Sequence, residues 1–266
     1  MRAIQYSSYG GPEVLHLAEV PVPLPGPGRV RIRLRAAGVN PFDHKRRSGM
    51  MAGGTMLGAP VVPGIEAAGV VDELGPGTTG VAVGDAVFGP ASGGYAEYAV
   101  LRAWAAKPAS LGFEEAAGLP VAVGTATRVL GELGLRPGET LVVHGAAGGV
   151  GQAAVQLARE AGLRVIGTAS GRNHDLLRDL GAEPITYGDG LADRVAALAP
   201  GGVAGVLDAA GSQLDDLIGI AGDPSRVVTI ANYSAAERGV RFSRGGGDDA
   251  AALAAVVKLI AAGRFT

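Results

Sequence analysis

The chain contains no cysteine among its 266 residues. That excludes disulfides, thiolate nucleophiles and every thiolate-bound metal. Aromatic residues make up only 5%, so the interior cannot rest on large aromatic clusters. Neither sign of charge dominates: 23 Lys and Arg against 25 Asp and Glu leave a formal net charge of -2. That balance gives no reason to expect nucleic acid or an anionic membrane as partner. No charge-free apolar run approaches the ~20 residues of a membrane span, and the opening MRAIQYSSYGG lacks the apolar core of a signal peptide. The expectation is a soluble, cytoplasmic protein.

What the chain has in quantity is glycine, 45 residues, in a composition that is 47% hydrophobic. The length suits two domains of ordinary size, and the chain has two textures. Residues 1 to about 120 carry short strand-like runs (RAIQYSS, VLHLAEV, RVRIRLRAAGV, AAGVVDEL, DAVFG, YAEYAVL) parted by Pro/Gly turns, which points to a mainly β domain. PVPLPGPG reads as a loop between two of these strands. From about 121, strands alternate with helices. TLVVHG is a strand and GVGQAAVQLAREAG a helix closed by Gly162. RVIGTA, EPITYG, GVAGVLDAAG and RVVTIANY are further strands, with helices over NHDLLRDLG and LADRVAALAP. That alternation implies a parallel sheet covered on both faces. SRGGGDD reads as a hinge or loop before a last helix, AALAAVVKLIAAG.

The most informative stretch is LVVHGAAGGVGQAAVQLAREAG. Ala146-x-Gly148-x-x-Gly151 follows a strand and opens a helix, the context of a dinucleotide fingerprint, with Ala146 in place of its first glycine. The middle glycine lets backbone approach a pyrophosphate, the last lets helix pack on strand, and the helix N-terminus offers free N–H groups to the anion. Ala146, Ala147, Gly148, Gly149, Val150 and Gly151 are the candidate cradle. About 20 residues on, an NAD site would place a carboxylate against the ribose 2′-hydroxyl. Here VIGTASGRN has none. Ser170 and Arg172 offer instead a hydroxyl and a guanidinium suited to a 2′-phosphate, so NADPH is the expected cofactor.

AAGVNPFDHKRRSG (36–49), VVPGIEAAGVVDELGPG (61–77), VGDAVFG, GGYAEYAV and VVHGAAGGVGQAAVQLA occur in that order. Together they resemble the medium-chain dehydrogenase/reductase superfamily, in its zinc-free, zeta-crystallin-like quinone oxidoreductase branch. The resemblance implies an α/β fold with a doubly wound, parallel-sheet Rossmann domain and a mainly β, partly barrel-like (GroES-like) catalytic domain. It places the GroES-like catalytic and substrate domain at 1–120 and the NADPH-binding Rossmann domain at 121–245. Residues 246–266 become a helix returning toward the catalytic domain, after which family chains usually run on for several tens of residues.

The zinc alcohol dehydrogenases of that superfamily carry a cysteine where this chain has Asn40 and a histidine where it has Ile65. Glu66 alone cannot build a tetrahedral site, so no metal is expected. By resemblance, Asn40 lies beside nicotinamide and substrate, and its amide can donate to the oxygen that gains charge. His44, read as a loop histidine, is a candidate proton donor, and Lys45 and Arg47 stand where related reductases meet substrate. Tyr95 and Tyr98 are expected to pack the β domain, and His144 to be a satisfied packing residue beside the glycine turn. Further cofactor contacts carried over are Thr125, Tyr187, Ala209, Ala210, Gly211, Ala231 and Asn232. The implied activity is NADPH-dependent reduction of a small-molecule quinone or α,β-unsaturated carbonyl by a homodimer. The alternatives are a polyketide-like enoyl reductase and an NADPH-binding protein without turnover.

Overall fold

Apolar and polar residues alternate along the first strands. The computed structural model describes residues 1–266 and divides them into two units. The first comprises Met1–Val121 and Asp248–Arg264 with Thr266; the second comprises Ala122–Gly247 with Phe265.

In the first unit β1 (Arg2–Gln5) and β2 (His16–Glu19) pair antiparallel. β3 (Val30–Ala37), β4 (Glu66–Leu74), β5 (Ala86–Ser92), β6 (Tyr98–Leu101) and β7 (Ala105–Ala106) form an antiparallel sheet in the order β4-β3-β6-β5-β7. Because β4 also pairs with β5, the sheet closes on itself into a small barrel. β3 shows why: VRIRLRAA turns Val30 and Ile32 fully inward and leaves Arg33 and Arg35 exposed. The inward residues meet Ala67, Val71, Val87, Ala99 and Leu101 in one core. A second core holds Ala68 and Phe88 together with Leu253 of the helix Asp249–Ala261.

This unit is not purely β at its loops. His44, read from the sequence as a loop histidine, lies on a helix, α1 (Pro41–Arg47). Asn40 precedes that helix in extended conformation, Pro41 opens it, and the Asp43 carboxylate accepts the Asn40 backbone N–H at 2.9 Å. A short α2 (Phe113–Ala117) follows the barrel, and α3 (Leu119–Leu133) leads into the second unit.

The second unit is built on β8 (Thr140–His144), β9 (Arg164–Thr168), β10 (Glu183–Ile185), β11 (Gly205–Asp208), β12 (Val227–Thr229) and β13 (Arg241–Phe242). All six run parallel in the order β10-β9-β8-β11-β12-β13, so the chain direction across the sheet reverses between β8 and β11. That arrangement is doubly wound, and ligands of such sheets bind beyond the carboxyl ends at the reversal. The strands read as continuous apolar runs because both faces are covered; Leu141, Val142 and Val143 are all fully buried. The helices between strands are α4 (Gly149–Glu160), α5 (His174–Asp179), α6 (Leu191–Leu198) and α7 (Leu214–Ala221). α4 ends as read, at Gly162 with φ +78°, where the Leu163 N–H reaches back to the Ala158 carbonyl at 3.0 Å. α8 (Asp249–Ala261) begins at Asp248, whose carboxylate accepts the Ala251 N–H at 2.9 Å.

Candidate functional site

In the first unit the chemistry gathers around Asn40. Its amide Nδ2 donates to the Glu66 Oε1 at 2.6 Å, and the Val121 N–H donates to Glu66 Oε2 at 2.7 Å. Glu66 is buried, and burial pushes its carboxyl above the ordinary glutamate range; the two donated bonds pull the other way. Gly38 makes room for it, since a Cβ there would come within 2.6 Å of the Glu66 carboxyl carbon. The carboxylate is acceptor-only, so the NH₂ end of the Asn40 amide must face it. One of the two amide protons is therefore committed. Only the second N–H of Asn40 remains for a ligand.

Asp43, one turn on, is the second buried carboxylate. It accepts the Asn40 N–H, the Gly64 N–H at 3.2 Å and the Tyr95 hydroxyl at 3.0 Å. Asp43 thus fastens the start of α1 to the segment entering β4. Tyr95 does more than pack: burial and the neighbouring Asp43 hold its phenol well above the usual tyrosine range, so it stays a donor. His44 is exposed on α1, and Lys45 is half-buried one residue further. Arg47 is half-buried, and its Nε donates to the Gly10 carbonyl at 3.3 Å. Asp43 is not among the residues expected from the sequence, and Glu66 enters there only as an insufficient metal ligand. The available signal was the N-x-x-D spacing of a reciprocal helix cap.

In the second unit, Gly145 to Gly148 turn from β8 into α4. A Cβ on Gly151 would meet the Gly145 carbonyl oxygen and lie 2.7 Å from the Ala146 Cα, so this glycine is required by helix-on-turn packing. The space beside Gly149 is open. The first N–H groups of α4, a helix of 12 residues, have no partner within their own helix and face the carboxyl edge. These features fit a pyrophosphate. Ala146 is corrected: it is fully buried, and its N–H is spent on the Thr168 carbonyl at 3.0 Å, so it packs the turn.

Ser170 and Arg172 follow β9, with Ser170 Oγ accepting from Asn173 Nδ2 at 3.3 Å and Arg172 exposed. Tyr187, 56% exposed, follows β10 and offers an open ring face. Ala209, Ala210 and Gly211 follow β11, while Ala231 and Asn232 follow β12. All four groups stand at the carboxyl edge of the same parallel sheet. Thr125 lies on α3. Asn40, His44 and Lys45 belong to the other unit.

β8, β9, β11 and β12 each end in a buried polar residue: His144, Thr168, Asp208 and Thr229. Strand register sets them side by side in the order Thr168, His144, Asp208, Thr229. Asp208 accepts the Ala210 and Gly211 N–H groups at 3.0 and 2.8 Å and the Thr229 hydroxyl at 2.7 Å. Thr229 Oγ1 in turn accepts the Ala231 and Asn232 N–H groups, each at 3.1 Å. The loops after β11 and β12 are shaped from beneath by this row. Its signal was present: four apolar strand runs each closing on one polar residue.

Comparison with known proteins agrees with both units. Residues 26–111 match the family described as alcohol dehydrogenase GroES-like domain, and residues 149–244 the family described as zinc-binding dehydrogenase. A quinone oxidoreductase of Rattus norvegicus is 42% identical over 175 residues, 64% of this chain and 53% of that protein. A pikromycin polyketide synthase component of Streptomyces venezuelae is 49% identical over 127 residues, 47% of this chain and 3% of that protein. A mycobacterial protein solved in complex with NADPH aligns with a TM-score of 0.82 at 30% identity, covering 100% of this chain and 90% of its own. The chain spans about half the length of the rat relative it matches.

Proposed function

Because the chain belongs to the medium-chain dehydrogenase/reductase superfamily, in its quinone oxidoreductase branch, we propose that it is an NADPH-dependent oxidoreductase. Its substrate in this reading is a quinone or an α,β-unsaturated carbonyl, reduced without zinc. The observation that carries the reading is the β8–α4 turn: a backbone cradle kept close-packed by Gly151, with open space at Gly149 and free helix N–H groups. Gly148, Gly149, Val150 and Gly151 hold the pyrophosphate, Ser170 and Arg172 the 2′-phosphate, and Tyr187 covers the adenosine. Ala209 to Gly211, Ala231, Asn232 and Thr125 line the remainder.

Bound NADPH supplies the hydride. The chain's own work is to hold the oxygen that gains charge. The Asn40 amide, oriented by Glu66, offers its second N–H to that oxygen. Conjugate reduction suits so light a donor set, because a developing enolate or quinolate spreads its charge. His44, exposed on α1, and Lys45 supply or relay the proton.

Zinc does not fit the residues present. Asn40 and Ile65 stand at the expected ligand positions, there is no cysteine, and no three His, Asp or Glu side chains are arranged to hold a metal. No step is routed through a metal. No helix is long and apolar enough to cross a membrane; the reading places the protein in the cytoplasm as a homodimer.

The polyketide synthase similarity favours a second reading, an enoyl reductase acting on thioester-bound chains. One experiment separates them: consumption of NADPH followed at the nicotinamide absorbance with quinones, simple enones and enoyl thioesters. Turnover of quinones or enones supports the first reading and turnover restricted to thioesters the second. NADPH binding with no turnover on any of them leaves a nucleotide-binding protein.

A further inference from the structure

β10 is the edge strand of the parallel sheet and covers only Glu183–Ile185, so the loop after it, residues 186–190, has a neighbouring strand on one side alone. The polar backbone groups of such a loop must be met from elsewhere. Arg194, half-buried on α6, meets them. Its Nε donates to the Thr186 carbonyl at 3.1 Å, its Nη2 to the Gly188 carbonyl at 3.0 Å and its Nη1 to the Asp189 carbonyl at 2.8 Å. Every nitrogen of the guanidinium is engaged, and each of these bonds goes to backbone.

The chain can wrap around one side chain because Gly188 and Gly190 lie at φ +91° and +74°. The approach is close: a Cβ on Gly190 would stand 3.2 Å from Arg194 Nη1. Gln213, beyond β11, adds a further point of attachment. Its Oε1 accepts the Gly188 N–H at 2.9 Å, and its Nε2 donates to Asp216 at 2.9 Å. The carbonyls that Arg194 binds are those of residues 186, 188 and 189. That of Tyr187 is not among them, and the Tyr187 side chain is 56% exposed. Backbone is pinned on both sides of Tyr187 while its ring is left clear.

We infer that Arg194 is a positioning residue for the cofactor: it touches no ligand, and it holds the loop after β10 in the shape that presents the Tyr187 ring to the adenosine before anything binds. The inference rests on the reading of Tyr187 as the adenosine contact. The residue type matters. A planar guanidinium aims N–H groups at three carbonyls at once, which the compact ammonium of lysine on its flexible stem does not. Without those bonds the loop must be ordered at the moment of binding, and the entropy lost then weakens the affinity.

The test measures binding of NADPH and of 2′,5′-ADP, which carries the adenosine but not the nicotinamide half, by calorimetry. Arg194→Ala should raise both Kd values by about tenfold, the upper end of what ordering one flexible side chain takes from affinity. Arg194→Lys should weaken binding as much as Arg194→Ala does; native affinity in the lysine variant would mean that positive charge alone suffices, and overturns the inference. In a Tyr187→Ala background, Arg194→Ala should change neither Kd further, although its loss in melting temperature recurs there. An equal loss of affinity in both backgrounds is what a merely structural role gives, and it overturns the inference. A last readout is independent of whether the variants fold. In the unsubstituted protein without ligand, the Gly188 amide and the Arg194 Nε proton should both exchange slowly with solvent. Fast exchange that slows only when 2′,5′-ADP is added shows a loop ordered by the ligand, and also overturns it. Failure of the unsubstituted protein to bind either ligand overturns the dinucleotide reading, and the inference with it.

Discussion

Asn40 has two amide protons, and Glu66 takes one of them. If the other serves the reacting oxygen, Asn40→Ala should lower kcat about a hundredfold, the ~3 kcal/mol typical of one lost donor. KM and the Kd of NADPH should move little, because the bond strengthens only as charge develops. A residue that merely caps α1 would instead cost about 1 kcal/mol of stability and leave turnover intact. Glu66 gives a second, pH-based expectation. Its folded pKa is raised above the unfolded 4.5, chiefly by burial, so the folded state binds more protons through that window. The contribution to stability is full below 4.5 and is lost as pH rises through the folded pKa. Glu66→Gln removes this slope. The stability of the native protein relative to the variant should therefore fall as pH rises from 4 to 8 in chemical denaturation, and a flat difference would contradict the assigned direction. At the other end of the cofactor, Arg172→Ala should erase most of a preference for NADPH over NADH on the order of 2 kcal/mol; equal native affinities would remove Arg172 from the site. Asn40 and Arg172 could be proposed from the sequence because each sits inside a contiguous motif. The Glu66 partnership could not, because the pair is 26 residues apart and only the barrel brings it together.

At the scale of elements, the glycine turn makes the firmest demand. Gly151→Ala would place a methyl against the Gly145 carbonyl and within 2.7 Å of Ala146 backbone, neither of which is a flexible side-chain end. Such overpacking costs about 1–3 kcal/mol. The variant should melt several degrees lower and bind NADPH more weakly, whereas Gly149→Ala, with open space beside it, should do neither through packing. Equal melting of the two variants would contradict the argument. The strands around this turn were legible because two covered faces demand continuous apolar runs. Four helices were not, the short α2 among them. α1 buries only Asp43, so it has no apolar stripe to read. α3 turns Val123, Ala126 and Val129 inward at helical spacing, but its valines and threonines resemble the strands before it. α7 buries Leu214, Leu217 and Ala221, yet it starts at a left-handed Gln213 in place of a customary Ser, Thr, Asp or Asn cap.

Across the whole molecule, the supply of metal donors bears on the question that the family description leaves open. The match at residues 149–244 is to a family described as zinc-binding, but tetrahedral zinc needs several converging N or S donors. The chain has no cysteine and four histidines, and fold position separates them. His16 is exposed on β2 and His44 is exposed on α1. His144 has one ring nitrogen on Thr168 and the other on Ser212. His174 Nε2 lies 3.3 Å from the Ala169 carbonyl. The buried carboxylates are equally engaged: Glu66 by Asn40 and Val121, Asp43 by three donors, and Asp208 by two N–H groups and a hydroxyl. Recruiting any of them would strip a buried donor of its acceptor, at about 1–3 kcal/mol each. Protein purified without chelator should therefore contain well under one zinc per chain by elemental analysis. Dialysis against a strong chelator should leave both the melting temperature and NADPH-dependent turnover unchanged. Stoichiometric zinc whose removal abolishes turnover would mean that Asn40 acts beside a metal and not in place of one.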